Sequence, residues 1–163
     1  MKILYFGGQK SGKSLLAEQK ALELSIGKPH YIATYDNSYG DIEMQERIDT
    51  HQDQRESNFI TIEESKDIDS IIKDNHTYLI DCVSMWLLNH IETDEQTLIK
   101  QLKNISQKDA NVVFVLNDVN GGIIPFEKET RRFVDLTGII GQYIASICDE
   151  VYEVKLGIGV KIK

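Results

Sequence analysis

A chain of 163 residues, 41% of them apolar, is long enough to bury a real core and reads most simply as one domain spanning residues 1–163. Its 26 acidic against 18 basic residues give a net charge of −8. That excludes the basic surface that nonspecific nucleic-acid binding needs, but leaves nucleotide binding open, where a few local donors suffice. No apolar run approaches membrane-spanning length, and Cys82 and Cys148 lie in apolar surroundings, which fits buried free thiols of a reducing, cytoplasmic compartment.

In chain order, residues 3–6 read as a strand that runs into a functional loop rather than as a signal peptide. A helix follows from residue 13 to about 26, stopped by Gly27-Lys28-Pro29. Residues 30–35 form the second strand, 37–40 a turn-rich loop and 41–55 a helix that is polar nearly all round. A short strand at 59–62, a short helix at 66–73 and a strand at 77–81 come next, then helices over about 85–91 and 94–107. The continuous apolar run 112–116 is expected of a central parallel strand covered on both faces. Residues 126–148 read as helical with interruptions near Gly138 and Gly141. Strands at 150–155 and 160–163, joined through Leu156-Gly157-Ile158-Gly159, make a terminal hairpin. Strands alternating with helices imply a doubly wound, mostly parallel α/β sheet with one antiparallel edge strand from that hairpin.

Between the first strand and first helix lies Gly7-Gly8-Gln9-Lys10-Ser11-Gly12-Lys13-Ser14, a glycine, four variable residues and then Gly-Lys-Ser. That is phosphate-loop spacing in the strand–loop–helix context that gives it meaning. Glycines let successive backbone N–H groups converge on one anion, and the following helix adds its positive N-terminal end. Lys13 is expected to reach the β and γ phosphates and the Ser14 hydroxyl to sit on Mg²⁺. Asp81 closes the run Thr77-Tyr78-Leu79-Ile80-Asp81, an apolar strand ending in an acid at the sheet mouth, where it suits hydrated Mg²⁺. Asp118, after Asn117, competes for that role, and Asp81 as a plain helix cap is the structural alternative. A signalling GTPase is excluded: Asp135-Leu136-Thr137-Gly138 stands after Asn117, the wrong order, and no Asn-Lys-x-Asp occurs.

Arg47, His51 and Arg55 are spaced by four, so on a helix they share one face. Two guanidinium groups flanking an imidazole depress its pKa and repel one another, a poor arrangement for stability but a good one for holding phosphate on that imidazole. Neutral imidazole attacks a nucleotide α-phosphorus, and the arginines neutralise the transferring group and the departing pyrophosphate. The bland alternative is a solvated face on which Glu43, Glu46, Asp49 and Asp53 pair with the arginines. His30, His76 and His90 read as structural or exposed, Trp86, Leu87 and Leu88 as core, and Lys161 and Lys163 as edge-strand charges.

The chain resembles the bifunctional adenosylcobinamide kinase / adenosylcobinamide-phosphate guanylyltransferase family over nearly its whole length. The resemblance is carried by the phosphate loop, Tyr31-Ile32-Ala33-Thr34, and Asp41-x-Glu43-Met44-x-x-Arg47-Ile48-x-x-His51-x-x-x-Arg55. It continues through Asp81-Cys82-Val83 with Trp86-Leu87-x-Asn89, Asn117-Asp118-Val119, Gly122-Ile123-Ile124-Pro125, Arg131-x-Phe133-x-Asp135-x-x-Gly138 and the closing Gly157 to Lys163. It implies a P-loop NTPase-type, RecA-like fold and two linked reactions: phosphorylation of adenosylcobinamide by a nucleoside triphosphate, then transfer of GMP from GTP through a guanylyl-histidine to the cobinamide phosphate. His51 stands at the family's guanylylated histidine, with Lys13, Arg47 and Arg55 as catalytic partners. The implied nucleotide set for GTP and ATP is Gly7, Gly8, Gln9, Lys10, Ser11, Gly12, Lys13, Ser14, Glu63 and Asp81, with Ser14 and Asp81 on Mg²⁺. The resemblance also implies a homotrimer whose sites lie between subunits. Departures from the family pattern are Lys10 for a usual arginine, Asp118 for glutamate, Asn120 for glycine, Val134 for arginine and Gly141 for asparagine. From residues alone, a nucleotide-dependent switch and a small-molecule kinase without a covalent step stay open.

Overall fold

The computed structural model describes residues 1–36 and 57–163. The expected helix over residues 41–55, with Arg47, His51 and Arg55, lies outside the described residues. In chain order the elements are β1 (Lys2–Gly7), α1 (Lys13–Leu24), β2 (His30–Ala33), β3 (Ile60–Glu63), α2 (Ile68–Ile71), β4 (Thr77–Asp81), α3 (Val83–Leu88), α4 (Glu95–Gln107), β5 (Asn111–Asn117), α5 (Lys128–Ile147), β6 (Glu150–Lys155) and β7 (Ile158–Lys161).

The strands form one sheet in the order β3-β2-β4-β5-β1-β6-β7. All neighbours pair in parallel except β6 with β7, which is antiparallel. The doubly wound sheet with an antiparallel terminal edge is therefore as the alternating pattern requires. β1, which feeds the phosphate loop, sits between β5 and β6, and β5 separates it from β4, which ends in Asp81.

Side chains alternate across the pleat. On one face Ile3, Tyr5, Leu79, Val113, Val115 and Val154 pack against Ala17 and Ala21 of α1. Two alanines one turn apart let α1 lie close to the sheet. On the other face Leu4, Ile80, Val112, Phe114 and Leu116 meet Trp86, Leu98, Leu102, Leu136, Ile140 and Ile144 from α3, α4 and α5. Both faces of β5 are thus buried, which explains its unbroken apolar sequence. Each large apolar side chain fully buried here contributes about 1.5–3 kcal/mol.

Several expectations are corrected. α5 is continuous through Gly138 and Gly141. These glycines permit close approach instead of breaking the helix: a Cβ on Gly138 would lie 3.0 Å from Asn120 Nδ2, and one on Gly141 3.1 Å from Leu116 Cδ2. The hairpin turn is only Leu156-Gly157, both at positive φ, so Ile158 and Gly159 belong to β7. Helix α3 starts earlier and ends sooner than expected, and Leu88 is 43% exposed while Trp86 and Leu87 are buried, because only one side of this short helix faces the sheet. Strand β2 stops at Ala33, and α1 stops at Leu24 where Ser25 turns extended. Lys163 does more than charge an edge: its Nζ donates to the Ala145 and Ser146 carbonyls at the end of α5 (2.9 and 3.2 Å). Lys161 pairs with Glu150 (2.6 Å). Cys82 and Cys148 are free thiols, Cys148 buried and Cys82 partly so. Among the described residues no helix is long and apolar enough to cross a membrane.

Candidate active site

The loop from Gly7 to Gly12 is closed by its own backbone and fastened on both sides. Ser11 N–H donates to the Gly8 carbonyl (3.2 Å), and Leu16 N–H to the Gly12 carbonyl (3.2 Å) as α1 begins. Asp118 N–H, just past β5, donates to the Gly7 carbonyl (2.9 Å), and Gly157 N–H, in the β6–β7 turn, donates to the Ser11 carbonyl (2.8 Å). Lys10 and Gly12 take left-handed angles (φ 55 and 94) to turn the chain over the start of α1. A Cβ on Gly7 would collide with the Val154 carbonyl and sit 2.8 Å from Ser11 Oγ. We therefore expect Gly7→Ala to distort the loop, costing about 1–3 kcal/mol by overpacking, and to weaken GTP binding at least tenfold. Denaturant unfolding and a fluorescent-GTP titration check the two effects.

Lys13 is 6% exposed, and its Nζ donates back to the Gly8 carbonyl (3.1 Å), inside the cradle. Burial lowers its pKa from the ordinary lysine value, opposed by the Asp81 carboxylate nearby. Lys13 and Asp81 thus lie within electrostatic reach of one another. Asp81 ends β4 level with Ala33 at the end of β2, and Ala33 is level with Glu63 at the end of β3, so both acids lie along one rim of the sheet. Asp118 is placed differently: its Oδ1 accepts from Asn120 N–H (3.2 Å), closing its own loop. Burial first, and then Asp81, push the Cys82 thiol up to about 11, so it stays neutral near pH 7. The Asp81–Cys82 peptide bond is cis.

The donor set suits a hard cation shared with phosphates. Among the described residues no group of three or more His, Cys, Asp and Glu could hold a metal alone. Ser14 at the start of α1 and Asp81 supply oxygen donors only, which is how Mg²⁺ is usually bound, with phosphates and water completing the shell. Ser11 Oγ is buried without a hydrogen-bond partner among the described residues, a polar atom suited to a phosphate oxygen or water.

Sequence reasoning left three rim residues without a role. Thr34 Oγ1 donates to the Cys82 carbonyl (2.7 Å), and Asn89 Nδ2 donates to the Thr34 and Ser65 carbonyls (2.8 and 3.0 Å). Ser84 Oγ accepts from Asn117 N–H (2.9 Å), tying the start of α3 to the end of β5. These bonds tie together the chain just past β2, β3 and β4 and the end of β5, beside Asp81. Asn89→Ala strands two partly buried carbonyls and should cost about 1–3 kcal/mol. Asn89→Asp, which brings acceptors to acceptors, should cost at least as much, read by denaturant unfolding. Thr34 and Asn89 stand inside recognised blocks, but their partners are 48 and 55 residues away.

The remaining histidines are structural in geometry. His90 is buried against Trp86, Nδ1 lying 2.8 Å from the Trp86 carbonyl. His30 stacks on Tyr78 at the opposite end of the sheet from the loop, and burial lowers its pKa.

A parallel sheet with a closed glycine loop after β1, and an acid ending a strand one place removed from it, defines a P-loop α/β nucleotide-binding protein. The flagellar accessory protein FlaH from Methanocaldococcus jannaschii shares this fold, with TM-score 0.50 at 12% identity over 93% of this chain and 70% of that one. The family model for cobinamide kinase / cobinamide phosphate guanyltransferase matches residues 3–162, and the chain belongs to that family. Bifunctional adenosylcobalamin biosynthesis protein CobU of Escherichia coli K12 is 32% identical over 185 residues, covering 100% of both chains. Its Salmonella typhimurium LT2 counterpart is 33% identical over 188 residues, again with 100% of both chains covered.

Proposed function

We propose that this protein is a bifunctional corrinoid transferase that phosphorylates adenosylcobinamide and then converts the phosphate to adenosylcobinamide-GDP with GTP. The observation that carries the reading is buried Lys13, its Nζ folded onto the Gly8 carbonyl inside the loop, in a chain matched to this family across residues 3–162. In the kinase step the aminopropanol hydroxyl attacks the γ-phosphorus of ATP or GTP. A P–O bond forms, the β–γ bridge breaks, the diphosphate leaves and the hydroxyl proton passes to solvent. Lys13 and the loop amides from Gly7 to Ser14 neutralise the phosphates, and Glu63 completes the nucleotide set at the rim. Mg²⁺, held by Ser14 and Asp81 with phosphate oxygens, supplies further charge neutralisation when bound. The engagement of Asp118 in its own turn supports Asp81 over Asp118 for that role.

In the second step neutral His51 attacks the α-phosphorus of GTP. A P–N bond forms as the α–β P–O bond breaks, and pyrophosphate leaves with its charge neutralised by Arg47 and Arg55. A phosphate oxygen of adenosylcobinamide phosphate then displaces the imidazole, which returns to its neutral form. We read the protein as cytoplasmic and as a homotrimer. Self-association is supported by β7, an edge strand whose Ile158 and Val160 are exposed, followed by exposed Ile162. Incubation with GTP labelled at the α-phosphate tests the covalent step: an acid-labile, alkali-stable protein label, discharged by cobinamide phosphate, is expected, whereas GTP turnover without label would favour a plain kinase or a switch.

A further inference from the structure

Two exposed apolar tips lie on segments whose backbone is bonded to the phosphate loop, and neither contributes to the core. The first is the segment between β5 and α5: Ile123 is 96% exposed, Ile124 80%, and Phe126 fully so. The start of this segment is tied to the loop, since Asp118 N–H is bonded to the Gly7 carbonyl (2.9 Å). The second is Leu156, 94% exposed, whose neighbour Gly157 donates to the Ser11 carbonyl (2.8 Å). Apolar side chains on a slack loop ordinarily fold inward, but here the backbone is braced with the side chains outside. Asn120 Nδ2 donates to the Val134 carbonyl (2.9 Å), and Gly138 leaves the room for it. Arg131 Nη1 donates to the Pro125 and Phe126 carbonyls (3.0 and 2.5 Å). Leu156 holds a left-handed backbone (φ 53), a conformation that glycine takes without cost and leucine does not, while its side chain gains no burial. Folding stability accounts for neither tip.

We propose that Ile123, Ile124, Phe126 and Leu156 form the seat for the apolar body of the corrinoid, holding its hydroxyl or phosphate arm over the phosphate loop. The proposal rests on the transferase reading above, which requires a macrocycle far larger than its reacting arm to dock beside Lys13. Exposed apolar side chains on two segments anchored to a charged cradle suit that shape: the arm enters polar surroundings and the ring loses water against carbon.

The test is equilibrium dialysis of cobinamide phosphate, followed by its visible absorbance, against the full chain and two variants. Ile123→Ser/Ile124→Ser/Phe126→Ser changes only exposed side chains, so the fold is expected to survive. Leu156→Gly suits the backbone and is expected to raise the thermal midpoint. Each variant should lose cobinamide phosphate affinity, by about tenfold or more for the triple variant, while fluorescent-GTP affinity and α-labelled adduct formation stay as in the parent. A more stable Leu156→Gly protein that binds the corrinoid less well is a result that a structural role would not produce. Unchanged corrinoid affinity in both variants overturns the proposal, as does a parallel loss of GTP affinity. A shift to smaller species in sedimentation also overturns it, assigning the tips to a subunit contact. A parent protein that binds no cobinamide phosphate would refute the transferase reading itself, which separates the two failures.

Discussion

Lys13→Ala is expected to lower phosphoryl transfer by about 10²–10³-fold, the scale seen when one preorganised donor to developing charge is removed, without destabilising the free protein. Lys13 is buried, its charge is disfavoured by desolvation, and in this structure it satisfies itself on the Gly8 carbonyl. Removing it relieves a buried charge, so unfolding without nucleotide should occur at the same or higher denaturant. Ligand linkage should show the loss instead. GTP at a hundred times its dissociation constant stabilises a protein by about 2.7 kcal/mol, and most of that increment should vanish in the variant at the same GTP concentration. Lys13→Arg should not restore activity, because the planar fork does not fit where one compact ammonium points back into the loop. Unfolding curves with and without GTP, alongside steady-state rates, read all three effects. A variant that loses stability and activity together would make Lys13 a structural residue.

His51→Ala is expected to separate the two reactions. Cobinamide phosphorylation transfers the γ-phosphoryl group directly and has no use for a covalent imidazole, so its rate should change little. GMP transfer should fall below detection, because without the nucleophile the α-phosphorus has no first acceptor. Arg47→Ala and Arg55→Ala should each slow GMP transfer by about 10²-fold through lost charge neutralisation, again sparing the kinase step. High-performance liquid chromatography of the corrinoid products, with cobinamide and cobinamide phosphate supplied separately, distinguishes the steps. Loss of both activities in His51→Ala would merge them into one site function.

The parts legible in sequence are those in which chemistry dictates residue type at fixed spacing. The phosphate loop is one, since only glycine fits where a Cβ on Gly7 would meet the Val154 carbonyl. The runs at Thr77–Asp81 and residues 112–116 are others, because burial on both faces demands apolar side chains throughout. What sequence concealed depends on partners far along the chain. Gly138 and Gly141 look like breaks until Asn120 and Leu116 are seen against them. Leu156 at positive φ defies its own preference, so the run Leu156 to Gly159 looked like one long turn. The Thr34–Cys82 and Asn89–Thr34 bonds join segments whose sequences carry no sign of one another. The covalent chemistry proposed for residues 47–55 rests on spacing and resemblance alone, since they lie outside the described residues.

Intact-protein mass spectrometry after GTP exposure, with and without cobinamide phosphate, tests the central claim most directly. The account predicts one added GMP per chain, stable at alkaline pH, lost when cobinamide phosphate is supplied and absent from His51→Ala. An unmodified mass in protein that still consumes GTP and yields adenosylcobinamide-GDP would contradict it.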